Sequence, residues 1–196
     1  MIDLTRAARR TADLIAAVPD ERLDAPTPCE KTSLAQLIVH VEGLSQAFVW
    51  AARKDPAIHE DAAPSLESAE LEPGWRERIP ERLAELAEAW RDPAAWEGMT
   101  RAGGVDLPGE VAGLVALDEV VVHGWDIARA LDRPYDVTRE EAEACMAFVS
   151  ETPEDPEPDN GLFGPPVRVP DEAPILDRLI GRTGRDPFWT PGSRTP

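Results

Sequence analysis

Two cysteines, Cys29 and Cys145, are all that the 196-residue chain contains. That is too few for a disulfide framework, and reduced thiols in a cytoplasmic protein are the expectation. No window of about 18 apolar residues occurs, so no membrane-spanning helix is expected. The stretch MIDLTRAARRTADLIAAVP alternates charged and apolar residues. It lacks the continuous apolar run and small-residue cleavage site of a secretory signal. Basic residues are scarce: 20 Lys and Arg stand against 38 Asp and Glu, a net charge of −18. A nucleic-acid binder needs a basic face to displace counterions from phosphate, and an anionic membrane surface repels such a chain. Neither partner is expected, and the acidity favours solubility. Period-two alternation is nearly absent, which leaves little material for a sheet.

What is present is helical. Hydrophobic residues at 42% suffice for one core, while 20 prolines require long connections. Leu4, Ala7, Ala8, Thr11, Leu14 and Ile15 recur at helical spacing and predict a helix over 3–18. Ser33 followed by Gln36 is a capping-box pattern opening a second helix over 33–53, with Leu34, Leu37, Ile38, Val41, Leu44 and Phe48 on its apolar side. Residues 55–72 are acidic, carry prolines and read as a solvated connection. Ile79, Leu83, Leu86, Ala87 and Trp90 predict a third helix over 77–92. The paired glycines within 97–107 fit a short hairpin. A fourth helix, with Pro108 in its first turn, runs to Leu131. Thr138 with Glu141 forms a second capping box, opening a helix to Val149. Residues 151–160 are acidic and proline-rich, and a last short helix over 171–184 ends on Gly184 as its C-cap. The pattern is that of an all-α bundle over residues 1–150, followed by an irregular extension over 151–196 that carries a short helix and packs on the bundle.

The fourth helix, PGEVAGLVALDEVVVHGWDIARALD, is apolar nearly all round except for one stripe. Glu119, His123 and Asp126 stand at i, i+4 and i+7, hence on one face. Ala112, Ala116 and Ala130 share that side, which leaves room beside the stripe. A buried carboxylate and imidazole must pair or bind something. A Glu–His hydrogen bond inside the core and a stripe facing solvent are the simpler accounts, and a shared metal ion is the third. His40, at the edge of the core-facing side of the second helix, would complete a two-nitrogen, one-oxygen set. Such a set suits Zn²⁺ with an open position, and ligand type alone does not separate Zn²⁺ from Ni²⁺, Fe²⁺ or Mn²⁺. Cys29 is a soft donor eleven residues from His40, with a small buried residue as its alternative reading. His59 lies in the acidic connection and takes no role.

Three stretches carry a resemblance: TPCEKTSLAQLIVHVEGL at 27–44, DEVVVHGWDIARALD at 118–132 and FGPPVRVPDEAPILDRLIGRTGRDPFW at 163–189. In this order they resemble the metal-binding family related to the N-terminal domain of mycothiol-dependent maleylpyruvate isomerase, a branch of the DinB-like superfamily. The resemblance implies a DinB-like four-helix bundle with a metal held by His40, Glu119 and His123, and it matches Asp126 to the Asp of HGWD. Asp126 is expected to orient a ligand or water and is the nearest candidate for handling a proton. The family commonly has an aromatic residue after TPC where this chain has Glu30-Lys31-Thr32, so the pocket entrance is expected to differ. The isomerase also carries a second C-terminal domain, for which the residues after the fourth helix leave little space.

The function so implied is a metal-dependent isomerase or S-transferase that activates a low-molecular-weight thiol, mycothiol by the resemblance. A zinc-dependent hydrolase using activated water is one rival. A non-catalytic metal-binding bundle is the other, and a fourth protein ligand would favour it. The substrate is expected to be a small molecule, with monomer and homodimer both open.

Overall fold

Ser33 and Thr138 each start a helix by the reciprocal exchange that their sequences predict. The Gln36 N–H donates to Ser33 Oγ while the Ser33 N–H donates to Gln36 Oε1, and Glu141 and Thr138 repeat the arrangement. These helices are two of seven in the computed structural model, which describes residues 1–29, 32–55, 70–152 and 163–192. The connection over 56–69, including His59, lies outside the described residues, as do Glu30, Lys31 and the greater part of the acidic run at 151–160.

In chain order the helices are α1 (Thr5–Ala16), α2 (Leu34–Arg53), α3 (Trp75–Ala89), α4 (Pro93–Trp96), α5 (Gly109–Ala130), α6 (Arg139–Ser150) and α7 (Ile175–Arg182). A hairpin of β1 (Met99–Ala102) and β2 (Val105–Pro108) separates α4 from α5. The protein is mostly helical, with this one small sheet among the described residues. Gly103 and Gly104 both hold positive φ, 56° and 80°, which a two-residue turn matched to strand twist requires. The hairpin takes Pro108 as its last residue, so α5 begins at Gly109 instead of holding Pro108 in its first turn.

The predicted third helix is shifted and shortened. Asp92 precedes a proline and is extended, which stops α3, and its side chain then accepts from the Ala94 N–H to cap α4. Lys54, in the left-handed region at φ 53°, ends α2 and donates to the Ala94 and Glu97 carbonyls at 2.9 and 2.8 Å. The C-terminus of α2 and the end of α4 are thereby joined by one ammonium group.

Helix α1 packs against α3 and α5, and α2 packs against the same two helices. The apolar stripes predicted for α1, α2 and α3 face this shared interior, with Ile15, Leu34, Leu37, Ile38, Ile79 and Leu83 fully buried. Helix α5 is buried along nearly its whole length. The polar stripe of α5 is therefore held by packing on several sides. Helix α6 lies on α5 and α7 on α6. Beyond α7, the Arg129 side chain donates to the Trp189 carbonyl at 3.1 Å, tying the C-terminal segment to α5. No helix among the described residues is long and apolar enough to cross a membrane.

Candidate metal centre

Three residues that the sequence analysis singled out lie together. The ligand atoms of His40 on α2 and of Glu119 and His123 on α5 all fall within 4.8 Å of one another. The His40 and His123 rings meet edge to face, with centroids 4.9 Å apart and planes at 86°. Tetrahedral donors about 2.1 Å from one ion stand about 3.4 Å apart, so an approach of at most about 1.4 Å brings all three onto a shared divalent metal. The donor chemistry fits as well, with two imidazole nitrogens and one carboxylate oxygen. No fourth His, Cys, Asp or Glu joins this cluster among the described residues. Cys29 is a half-buried free thiol outside it.

Each donor is prepared differently. Burial and the neighbouring His123 charge push the His40 pKa down to about 4, so its ring is neutral with a lone pair available. Glu119 would be pushed up by burial, but the hydrogen bond from His123 holds its carboxyl below its ordinary value. It keeps 24% of its side chain exposed, so the cluster reaches solvent at this residue. His123 is 6% exposed. Burial disfavours its charge, yet its contacts with Asp126 and Glu119 outweigh that and push its pKa up to about 10. Without an ion, His123 is thus an imidazolium between two carboxylates.

Asp126 is fully buried and lies one turn beyond His123, with Oδ2 3.0 Å from His123 Nδ1. That contact commits Nδ1 and leaves Nε2 facing Glu119 Oε2 at 3.1 Å. The second partner of Asp126 is Arg185, whose Nε donates to Oδ1 at 2.9 Å and Oδ2 at 3.1 Å. Burial alone would raise the Asp126 pKa, but the Arg185 charge and the His123 hydrogen bond hold it below the usual carboxylate range. Arg185 also donates through Nη1 to the Thr183 carbonyl, so the guanidinium is fixed at both ends.

Sequence reasoning missed Arg185 and Asp118. Arg185 follows Gly184, whose φ of 81° turns the chain at the end of α7, and this turn aims a nominally exposed arginine inward. Asp118, 2% exposed, is pushed up to about 8 by burial and by the adjacent Glu119, so it is largely protonated near neutrality. The buried Cys145 hydrogen-bonds it. The signal for Asp118 was visible, an acid inside the apolar run LVALDEVVV.

The room beside the stripe is small. Ala116 and Glu119 line a cavity of about 10 Å³ with Val41, Leu44, Ser45 and Phe48. That volume holds about one water molecule. Ala112 and Ala130 are fully buried and do not line it.

Comparison with known proteins follows the same region. The family model described as the mycothiol maleylpyruvate isomerase N-terminal domain matches residues 4–128, which span all three clustered residues and Asp126. Two Mycobacterium tuberculosis proteins, from strain CDC 1551 / Oshkosh and strain ATCC 25618 / H37Rv, are each 27% identical over 193 residues. The match covers 92% of this chain and 94% of each relative, and both relatives are described as uncharacterized proteins. No solved structure matches the chain.

Proposed function

The chain belongs to the mycothiol maleylpyruvate isomerase N-terminal domain family, and from that premise we propose that it is a metal- and thiol-dependent isomerase or S-transferase acting on a small electrophilic substrate. In this reading α1, α2, α3 and α5 form a DinB-like four-helix bundle, and residues 151–196 are an extension packed on it. His40, Glu119 and His123 hold a divalent transition metal, Zn²⁺ first, with Ni²⁺, Fe²⁺ and Mn²⁺ compatible with the same donors. When bound, the metal supplies a Lewis acid that lowers the pKa of a thiol, mycothiol by family, placed at the position the protein leaves open.

The observation that carries this reading is the division of the His123 ring. Nδ1 is committed to Asp126 while Nε2 faces Glu119, which is the pattern that fixes a ligating histidine in one tautomer. His40 brings a neutral imidazole and Glu119 the compensating negative charge. Asp126 orients His123. Complete burial and two bonding partners suit it to that task better than to proton exchange with a substrate. His40 and Glu119, the partly exposed donors, mark the side from which a substrate approaches.

The partial exposure of Glu119 also fits a second reading, a hydrolase that activates water at the same three residues. One experiment separates the two. Purified protein should hold about one transition-metal ion per chain, lost in His40→Ala and His123→Ala, and should bind mycothiol only when loaded. Full metal retention by both variants would refute the site. Metal without thiol binding would refute the thiol reading in favour of the hydrolase.

A further inference from the structure

A second cavity lies away from the clustered histidines, on the outer side of α1. It is an open surface depression of about 440 Å³ lined by Arg6, Arg9, Arg10, Asp13, Leu14 and Arg133. The volume is in the range of small-molecule sites. Its charge runs against that of the chain. Acids outnumber bases by 38 to 20 overall, yet this cleft gathers four arginines and one aspartate.

The arginines are placed by local structure. Arg6, Arg9, Arg10 and Asp13 stand at i, i+3, i+4 and i+7 on α1, hence on one side of the helix. Arg133 joins them from the end of α5, where Asp132 at φ 54° turns the chain and the Arg133 N–H closes on the Ala128 carbonyl at 2.8 Å. Arg10 is the fixed member. It pairs with Glu141 at 3.2 Å and its guanidinium lies 4.8 Å from the centre of the Tyr135 ring. Arg9 meets Asp13 only at 3.9 Å, with both side chains exposed. Arg6 feels the charge of Asp3 at a distance, and neither Arg6 nor Arg133 makes an ion pair with any described residue. Like charges at i, i+3 and i+4 weaken a helix. Stability accounts for Arg10 through Glu141 and Tyr135 but gives no reason to gather Arg6, Arg9 and Arg133 beside it, and an anion lodged among the guanidinium groups would relieve the repulsion.

We propose that this cleft binds a small phosphorylated compound carrying two or three phosphoryl groups. Guanidinium forks match phosphoryl oxygens in bidentate fashion, and the three that no close ion pair holds, Arg6, Arg9 and Arg133, exceed what a single anionic group needs. The remainder of the chain limits the size of the ligand. At physiological salt the attraction reaches only about 8 Å, and a long nucleic acid would run from the cleft onto a surface of net charge −18. A compact polyanion stays within reach of the arginines.

The test is calorimetric titration of the full chain with inorganic pyrophosphate, using citrate as the carboxylate counterpart. Saturable one-to-one binding of pyrophosphate below about 1 mM is expected, weakening as salt is raised. Arg6→Ala combined with Arg133→Ala should weaken it about tenfold or more while metal content and melting temperature stay as in wild type. Unchanged pyrophosphate binding by that double variant would overturn the proposal, as would its absence in wild type up to about 10 mM. Citrate binding as tightly as pyrophosphate would overturn the phosphoryl assignment. If the double variant melts early, Arg9→Ala, at an exposed position, decides instead: weakened binding at wild-type melting temperature is expected, and unchanged binding would overturn the proposal. Because neither residue of the double variant touches the histidine cluster, failure here leaves the metal reading standing, and the reverse holds as well.

Discussion

Replacing Arg185 by Met keeps an unbranched side chain but removes the guanidinium that holds Asp126. Asp126 is fully buried and Arg185 keeps 11% of its side chain exposed, so solvent offers the carboxylate little relief. Removing one partner of a buried ion pair costs about 3–5 kcal/mol. His123 remains, charged in the metal-free protein and 3.0 Å away, which places the expected loss at the low end, about 3 kcal/mol. For a chain of this length that is a fall in melting temperature of roughly 6–12 °C. Urea denaturation in the presence of a chelator measures it without the added stability that a bound ion contributes. The combination Arg185→Met with Asp126→Leu should recover most of the loss, since removing both charges leaves none unpaired. It should not recover metal binding, which is expected to weaken about 10–100-fold because His123 loses the carboxylate that orients it. A loss below about 1 kcal/mol for Arg185→Met would place the pair in water and refute the reasoning.

Two further outcomes are expected. Ala116→Leu adds three carbons to a wall of the 10 Å³ cavity. It should destabilise by about 1–3 kcal/mol and slow access of small chelators to a bound metal, and unaltered stability with unaltered access would show that the space lies elsewhere. Gly124→Ala would place a methyl group against Thr11 Oγ1 and 2.5 Å from the Tyr135 hydroxyl. A loss of about 1–3 kcal/mol in thermal or chemical denaturation is expected, and a neutral result would contradict the close approach of α1 to α5.

The helices were legible where local chemistry decides them. Both capping boxes open their helices at the predicted residue, because these signals lie within one turn, whereas α7 starts at Ile175 behind Pro174 instead of at 171 and takes Thr183 as its C-cap, with Gly184 at positive φ just beyond it. Helix α4 was missed although Asp92-Pro93 carries a capping aspartate and a first-turn proline, since four residues show no periodicity. The gathering of His40 with Glu119 and His123 was readable because two of the three share a helix face and the third lies on a core-facing edge. Arg185 was not, since its contact with Asp126 spans 59 residues and its local sequence, GRTGRDP, reads as solvated. The size of the space beside Ala116 was also beyond reach, because it depends on how α2 and α3 side chains fill it from across the bundle.

The place of Arg185 in the chain bears on the order in which the centre assembles. His40, Glu119, His123 and Asp126 are all synthesised before α7 exists, and chains emerge N-terminus first at about 5–20 residues per second. The three donors and their carboxylate can therefore collect around an ion, or around a shared proton, while the guanidinium that steadies them is still several seconds from release. During that interval Asp126 has only His123 as a partner. An ion captured then would stand in for the missing arginine as the positive charge at the centre, and the segment after α7 would close over whatever had already been bound.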